Sequence, residues 1–421
     1  MKISPWGNRE TNEVEVCDID QAFSRVNRRY IPVGNLRSYG DQAVSKSSIA
    51  ILSTTRNKVL EFNREKGQIR VEAGALLKEV QHFSRLMGWM LPVLPGTQFV
   101  TVGGSIANDV HGKNHHKFGS FGEWIEEINI LRSDIGRQTL SKSVNQELFY
   151  ATIGGCGLTG MILDATINLV PDCGKSVFEQ RIRFKSIDEF LSLSLESVEW
   201  ESSVGWVNLF DKQKGVFLRG RRIKDDKNRG RERIITFPRW RGPSLINHHT
   251  SKLISQVYFQ HMLLSRSETV LESKHFFPLD RIRCWNRAYG RNGFYQYQFV
   301  LPTKTASQGC NEILDRIRSH KQGSFLTVIK AFGDRKSGGL LSFPTEGITL
   351  AIDFPDFGVK TESLFAELDS LVEKYCGRLY LAKDSRMPQK MFENTYQNFA
   401  KFAKLRDPKI SSKLSQRLMG Y

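Results

Sequence analysis

No two of the six cysteines (Cys17, Cys156, Cys173, Cys284, Cys310, Cys376) stand at CxxC spacing, and they are scattered along the chain. That pattern excludes a zinc knuckle and a dense disulfide framework, and makes reduced thiols in the cytoplasm the expectation. Met1 to Glu10 holds no apolar run of signal-peptide type, and no later stretch approaches the ~20 apolar residues of a spanning helix. The chain reads as soluble. Neither a repeat of fixed period nor a low-complexity tract occurs, which removes solenoids and propellers. Negative charge is in deficit: 44 Asp and Glu face 61 Lys and Arg, a formal charge of +17. Such an excess favours an anionic partner, whether nucleic acid, phospholipid or phosphorylated substrate, without choosing among them.

What is present suffices for two or three domains with a real core: 421 residues, 40% hydrophobic and 25% charged. From Ile31 to Pro171 glycine and short apolar runs dominate. Ile49 to Leu52, Ile69 to Glu72, Ile128 to Leu131 and Met161 to Val170 are expected as strands, and Leu76 to Trp89 as a helix with Leu77, Val80, Phe83 and Met87 on one face. From Arg219 to Arg241 nine lysines and arginines precede Trp240 with few apolar groups, which predicts a mobile basic loop. An amphipathic stretch follows, Leu253 to Leu264, with Ile254, Val257, Tyr258 and His261 at helical intervals. Beyond it strand and helix alternate: Tyr295 to Leu301, a helix near Asn311 to Ser319, Phe325 to Ala331, Ile348 to Phe354, a helix from Glu362 to Tyr375, and Arg378 to Ala382. The fold class is therefore α+β, with an antiparallel sheet carrying helices on one face in the C-terminal half.

Gly155-Cys156-Gly157-Leu158-Thr159-Gly160 matches a dinucleotide fingerprint in letters, but a helical Asn145 to Ala151 precedes it and a β-branched run follows. The required order, strand then helix, is inverted, so these glycines read as a turn between helix and strand. Two further clusters, Gly34 to Asp41 and Pro95 to Gly104, also expose backbone amides. Each alone reads as a turn; three in one domain favour a large nucleotide cofactor, because glycine lets amides approach phosphate oxygens. His111-Gly112-Lys113-Asn114-His115-His116 is the densest polar string. His111 and His115 have helical metal-ligand spacing, but Gly112 weakens a helix and no carboxylate or cysteine stands at ligand spacing, so no metal is assigned. A loop against a cofactor or substrate anion and a solvated surface both remain open.

These strings, RSYGD at Arg37 to Asp41, PGT at Pro95 to Thr97, TVGGSIANDVHGKNHHKFGSFG at Thr101 to Gly122 and GLTGMILDATI at Gly157 to Ile167, resemble the FAD-dependent oxidoreductases with a PCMH-type (vanillyl-alcohol-oxidase-like) FAD domain. FPLDRIRCWNRAYG at Phe277 to Gly290, YQYQFVLP at Tyr295 to Pro302 and RLYLAKDSRM at Arg378 to Met387 extend the resemblance over nearly the whole chain. They are similar to the branch that oxidises polyprenylphosphoryl pentoses. The resemblance implies a PCMH-type FAD-binding domain over 1–175, a substrate domain over 176–390 with a mobile basic loop near 219–241, and a segment 391–421 returning to the FAD domain.

It further implies that FAD lies against Val33, Gly34, Asn35, Leu36, Arg37, Ser38, Tyr39 and Gly40, against Gly96, and against Thr101, Val102, Gly103 and Gly104. His111, Gly112, Lys113 and Asn114 would run along the flavin, with Ile162 at the adenosine half and Tyr380 also in contact. Ser38-Tyr39-Gly40 offers no His or Cys for a covalent tether, so dissociable FAD is expected. Lys113, Gln296, Gln298, Lys330 and Lys383 would face substrate, and Lys383, His111 and Tyr39 would serve catalysis. Lys383 is expected as an electrostatic stabiliser, more boldly as the base, with His111 as the alternative base. From spacing alone, Gln296 and Gln298 share one strand face that solvent could equally occupy, and the lysines could be surface groups. Leu36 and Ala351 replace a glycine and a cysteine of the nearest relatives.

The implied reaction is FAD-dependent oxidation of the 2-hydroxyl of a polyprenylphosphoryl pentose to the 2-keto form. That is the first half of a ribose-to-arabinose epimerisation for cell-envelope polysaccharide, completed by a short-chain reductase partner. The basic stretch and Leu253 to Leu264 would then hold a cytoplasmic protein peripherally at the anionic inner membrane, with a periplasmic position left open. Competing readings are a soluble sugar or aldonolactone oxidase and, on charge alone, a nucleic-acid-binding protein. The latter lacks a reading helix, finger or RNP string.

Overall fold

A computed structural model describes residues 1–17, 19, 28–212, 215–224 and 234–420. Strands β1 (Val16–Cys17), β2 (Tyr30–Val33) and β3 (Ile49–Leu52) form a small parallel sheet with β3 in the middle. The chain continues through β4 (Val59–Asn63), β5 (Gln68–Glu72), helices α1 (Leu77–Leu86) and α2 (Val102–Ala107), β6 (Ile125–Arg132), β7 (Gly136–Ser141), α3 (Gln146–Thr152) and β8 (Met161–Asn168). The last five strands form an antiparallel sheet in the order β7-β6-β8-β5-β4. Central β8 is apolar on both sides and serves two cores: Ile162, Ala165 and Ile167 pack within this half, whereas Met161 and Leu163 join the core of the next. Helix α1 buries Leu77, Val80 and Ser84 at helical spacing, and Gly88, at φ +85, follows its C-cap. The glycine string 155–160 is the turn between α3 and β8, with Cys156, Gly157 and Gly160 all at positive φ.

The second half contains β9 (Ser176–Phe184), α4 (Ile187–Leu195), β10 (Ser202–Val207), β11 (Gly215–Ile223), α5 (His248–Leu263), β12 (Ser267–Leu271), β13 (Phe294–Pro302), α6 (Thr303–Ser319), β14 (Thr327–Phe332), β15 (Gly347–Pro355), α7 (Val359–Lys374) and β16 (Arg378–Leu379). Its strands form one antiparallel sheet in the order β12-β9-β11-β10-β14-β15-β13-β16. Alternation sorts β13 and β15 into two faces. Tyr297, Phe299, Ile348, Leu350 and Ile352 pack with Phe190 of α4, Ile313 and Ile317 of α6, and Leu364, Phe365 and Leu368 of α7. Burying each such side chain contributes about 1.5–3 kcal/mol. Gln296, Gln298, Thr349 and Asp353 lie on the opposite face.

Several expectations are corrected. The basic segment is not a loop from its start: Arg219 to Ile223 complete β11, paired to β9 over its full length. Arg222 is buried there between Glu201 and Glu272, and much of the remaining stretch, 225–233, lies outside the described residues. Helix α5 packs on β9 and β11 through Phe259 and Met262, opposite the face covered by α4, α6 and α7. It buries Ser251, Ser255, Phe259 and Met262, and Val257, Tyr258 and His261 of the expected amphipathic stretch stay exposed with Ile254 half-buried. Helix α6 begins at Thr303, directly after β13, and β16 ends at Leu379, where the chain turns back with the Lys383 amide on the Tyr380 carbonyl, 2.9 Å.

The C-terminal stretch returns to the first half. Tyr30 donates its hydroxyl to Asp407 at 2.8 Å, Ser48 bonds the Ser411 carbonyl, and Arg417 of α8 (Lys413–Met419) bridges Asp41 and Asp384.

Candidate active site

The loop after β2 is built for close approach. The side chain of Asn35 bonds the Phe99 carbonyl at 2.7 Å, and a Cβ on Gly34 would stand 2.6 Å from Thr101 Oγ1, which itself caps α2 by accepting from the Gly104 amide at 3.1 Å. These contacts bring Val33 to Gly40 and Thr101 to Gly104 side by side. The amides of Asn35, Leu36, Arg37 and Ser38 find no acceptor among the described residues, and nothing lies within 4 Å of a Cβ built on Gly96. Leu36 holds φ +50, so the turn keeps a left-handed residue where the side chain is not glycine. Tyr39 and Asp41 donate their amides to Ala382 and Asp384, which fastens the loop to the turn that carries Lys383.

Above it runs the His111 to Asn114 string. Gly112 leaves no room for a Cβ against the Leu94 carbonyl, Asn114 bonds the Pro92 carbonyl, and the Lys113 carbonyl accepts from the Ser203 amide of β10. Lys113 Nζ bonds the carbonyl of His275, whose ring links Ser202 Oγ at 2.8 Å and Glu179 at 2.6 Å. Burial pushes the Lys113 ammonium down to about 8, with Glu179 opposing. His111 is enclosed by Phe332, Phe343 and Tyr380, and burial with the charges of Lys330, His115 and Lys383 holds it well below its ordinary range. It is neutral. Its Nε2 faces the Gln298 amide nitrogen at 3.1 Å; an amide nitrogen only donates, so the ring proton sits on Nδ1, which has no protein partner. In this arrangement Nδ1 of His111 is the ring nitrogen left to engage a bound molecule.

The opposite wall is the polar face of β13, β14 and β15. Register places Gln296 against Asp353, Gln298 against Ala351, and Thr349 against both Val300 and Lys330. Gln298 also donates to Thr349 Oγ1 at 3.2 Å, and Gln296 to Asp353 at 2.7 Å. Ala351 thus stands beside Gln298 with no thiol. Lys383 Nζ lies 3.7 Å from the Tyr39 ring centroid and lines a cleft with Gln296, Gln298 and Tyr380. Burial, with Lys330 and against Asp353, lowers Lys383 to about 7; Lys330 falls to about 7 by burial beside Lys113. Tyr380 stacks on Phe343 at 4.6 Å and donates its hydroxyl to the Asn108 carbonyl. Ile162 is buried in β8, paired with Ile130.

Lys383 thus meets Tyr39, Gln296 meets Asp353, and Gln298 meets His111 and Thr349 beside Lys330, whereas the Lys113 ammonium is turned to the His275 carbonyl. Asp353, Thr349 and the aromatic box of Phe332 and Phe343 were not anticipated. A lone carboxylate in the apolar run GITLAIDFP was the signal available for Asp353. The residues fit a bound dinucleotide: free loop amides, the open space at Gly96, and buried polar atoms without partners on Arg37, Asn108, His111 and Asn114 await a polar ligand.

Comparison with known proteins agrees. A family model described as FAD binding domain matches residues 9–138. Decaprenylphosphoryl-beta-D-ribose oxidase of Mycolicibacterium smegmatis is 32% identical, over 96% of this chain and 92% of its own. An uncharacterized protein in the mprA 5' region of Streptomyces coelicolor is 26% identical over 79% of this chain and 96% of its own. D-lactate dehydrogenase of Anaerostipes hadrus is 25% identical over 36% and 33% respectively. The chain belongs to the PCMH-type FAD-dependent oxidoreductases, in the family of decaprenylphosphoryl-beta-D-ribose oxidase, and its cofactor is FAD.

Proposed function

We propose that the protein oxidises the 2-hydroxyl of a polyprenylphosphoryl pentose to the 2-keto form, opening a ribose-to-arabinose epimerisation that a short-chain reductase completes. One observation carries the reading: Lys383 and Gln298, groups suited to sugar hydroxyls, touch Tyr39 and His111 of the FAD-domain strings, with Lys330 near enough to act on both His111 and Lys383. Residues 1–175 with the returning 391–421 segment would hold FAD without a covalent link, and 176–390 would present the substrate.

FAD, when bound, supplies the acceptor for the hydride leaving the sugar carbon. Lys383 takes the hydroxyl proton: at about 7 its amine is populated near neutral pH. The ammonium so formed would supply positive charge to balance an electron-rich cofactor. Tyr39 walls this position, while His111 donates from Nδ1. Lys330 and Lys113 attract the phosphodiester as point charges, and the Gln298 amide, already donating to His111 and Thr349, offers its carbonyl to a sugar hydroxyl.

Helix α5 supports membrane residence. Leu253, Val257 and Leu264 are 63%, 62% and 82% exposed, near-neighbours of exposed Trp240 and Leu245 in sequence, with Arg239 and Arg241 alongside. An exposed apolar stripe in a chain of net positive charge suits an anionic bilayer surface, where a lipid-linked substrate would reside. Among the described residues no helix is long and apolar enough to cross a membrane.

The test is anaerobic mixing of the FAD-loaded protein with polyprenylphosphoryl ribose. Bleaching of the flavin by the parent and its loss in Lys383→Ala supports the reading; rapid peroxide formation with free sugars and oxygen would instead establish a soluble sugar oxidase.

A further inference from the structure

Asp353 is 0% exposed on the polar face of the sheet and is the one charged residue of its strand. A bare carboxylate there is costly unless its charge and lone pairs are used. Its two oxygens take different partners: Oδ1 accepts from Gln296 Nε2 at 2.7 Å, and Oδ2 accepts from the Tyr289 hydroxyl at 3.3 Å, which in turn reaches Ser324 Oγ. Neither partner is a cation. The positive charge that answers Asp353 is Lys383, on the turn after β16, and the coupling is mutual: each favours the charged form of the other. Tyr39, from the loop after β2, is the remaining titratable group facing it, and Asp353 acts with burial to raise the Tyr39 phenol. Lys330 of β14 acts on Lys383 from the other side.

We propose that Asp353 is a positioning residue of the active site: it turns the Gln296 amide so that its carbonyl faces the bound sugar, and it is the buried carboxylate that answers the Lys383 ammonium on the same wall. The inference rests on the role given to Lys383 above. The Gln296 amide nitrogen is engaged inside the wall by Asp353, which turns Oε1 the other way as the group offered to a substrate hydroxyl. Without Asp353 the amide is free to rotate, and Lys383 faces Lys330 with no opposing charge. Proton exchange at this site therefore involves a pair, with Asp353 raised by burial to about 7 and Lys383 lowered to about 7.

The experiment compares the FAD-loaded parent with Asp353→Asn, which keeps the shape and removes the charge. Tyr289→Phe, which removes one hydrogen bond and leaves the charge, is the control. The titration midpoint of Lys383 is read directly by pH-dependent acylation of its amine and mass spectrometry, a measurement that needs no substrate. We expect Asp353→Asn to move that midpoint down by about one pH unit, and Tyr289→Phe to leave it in place. With polyprenylphosphoryl ribose, the acid limb of flavin reduction should shift by the same amount and KM should rise about tenfold, as expected for one lost hydrogen bond to substrate. If Asp353→Asn does not fold, Asp353→Thr, a good strand former, replaces it. An unchanged Lys383 midpoint overturns the proposal whatever the substrate. A shifted midpoint without reduction of the parent by the lipid-linked sugar leaves the positioning role standing and defeats the substrate assignment instead.

Discussion

Gly40 packs so tightly on the Asp384 carbonyl that a Cβ at that position would overlap it. The contact joins the FAD loop to the turn bearing Lys383, flanked by the Tyr39 to Ala382 and Asp41 to Asp384 backbone bonds. Gly40→Ala must therefore push loop and turn apart. We expect a loss of about 1–3 kcal/mol, the usual cost of overpacking, together with poor flavin retention. Thermal unfolding and the flavin absorbance of the purified variant measure both.

Leu36 keeps φ +50 while packing against the cluster around Ile31 and Val33. A left-handed L-residue costs roughly 1–2 kcal/mol, which glycine avoids and a β-branched residue worsens. Leu36→Gly should unfold no earlier than the parent, and Leu36→Val clearly earlier; the reverse order in thermal melts would show that the side-chain contact dominates.

Glu179 stays ionised down to about 2, held by the hydrogen bond and charge of His275 and by Arg181 and Lys113 against the burial that opposes it. The carboxyl is depressed from its ordinary 4.5, so its contribution is complete above pH 4.5 and is lost as pH falls toward 2; the shift corresponds to about 3 kcal/mol as an order of magnitude. His275, lowered to about 4 by burial, works in the same sense: the unfolded chain takes up that proton first, so acid favours unfolding. Glu179→Gln should lower stability to urea at pH 7 by about that amount, with the gap to the parent closing as the pH approaches 2.

The exposed stripe of α5 predicts a lipid interaction that leaves soluble chemistry untouched. Leu253→Ser with Val257→Ser and Leu264→Ser should weaken binding to vesicles containing anionic lipid by about a hundredfold or more, at roughly 1 kcal/mol or more per buried apolar side chain. Co-sedimentation is the measurement, and unchanged binding rejects this surface.

The alternation in YQYQFVLP made the shared face of Gln296 and Gln298 legible, because a strand's period of two is a local property. Asp353 was not, since its role depends on a strand more than 50 residues away in sequence. The basic segment misled for a related reason. Arg222 reads as surface charge until Glu201 and Glu272 arrive from distant positions to bury it. In α5 the sequence offered only the stripe of Ile254, Val257, Tyr258 and His261, and the face that packs was not legible: two serines and only two large apolar residues, Phe259 and Met262, make the contact. Small residues let a helix lie close to a sheet, and hydropathy does not register that fit.

Arg417 holds Asp41 with two nitrogens at 3.0 Å each, reaches Asp384 at 2.9 Å and caps the Met387 carbonyl at 2.6 Å. One side chain near residue 420 thus latches both banks of the catalytic cleft. Removing α8, by truncation or proteolysis, would be felt at Lys383 even though no atom of that helix is asked to touch substrate, so the tail behaves as a keystone of the site.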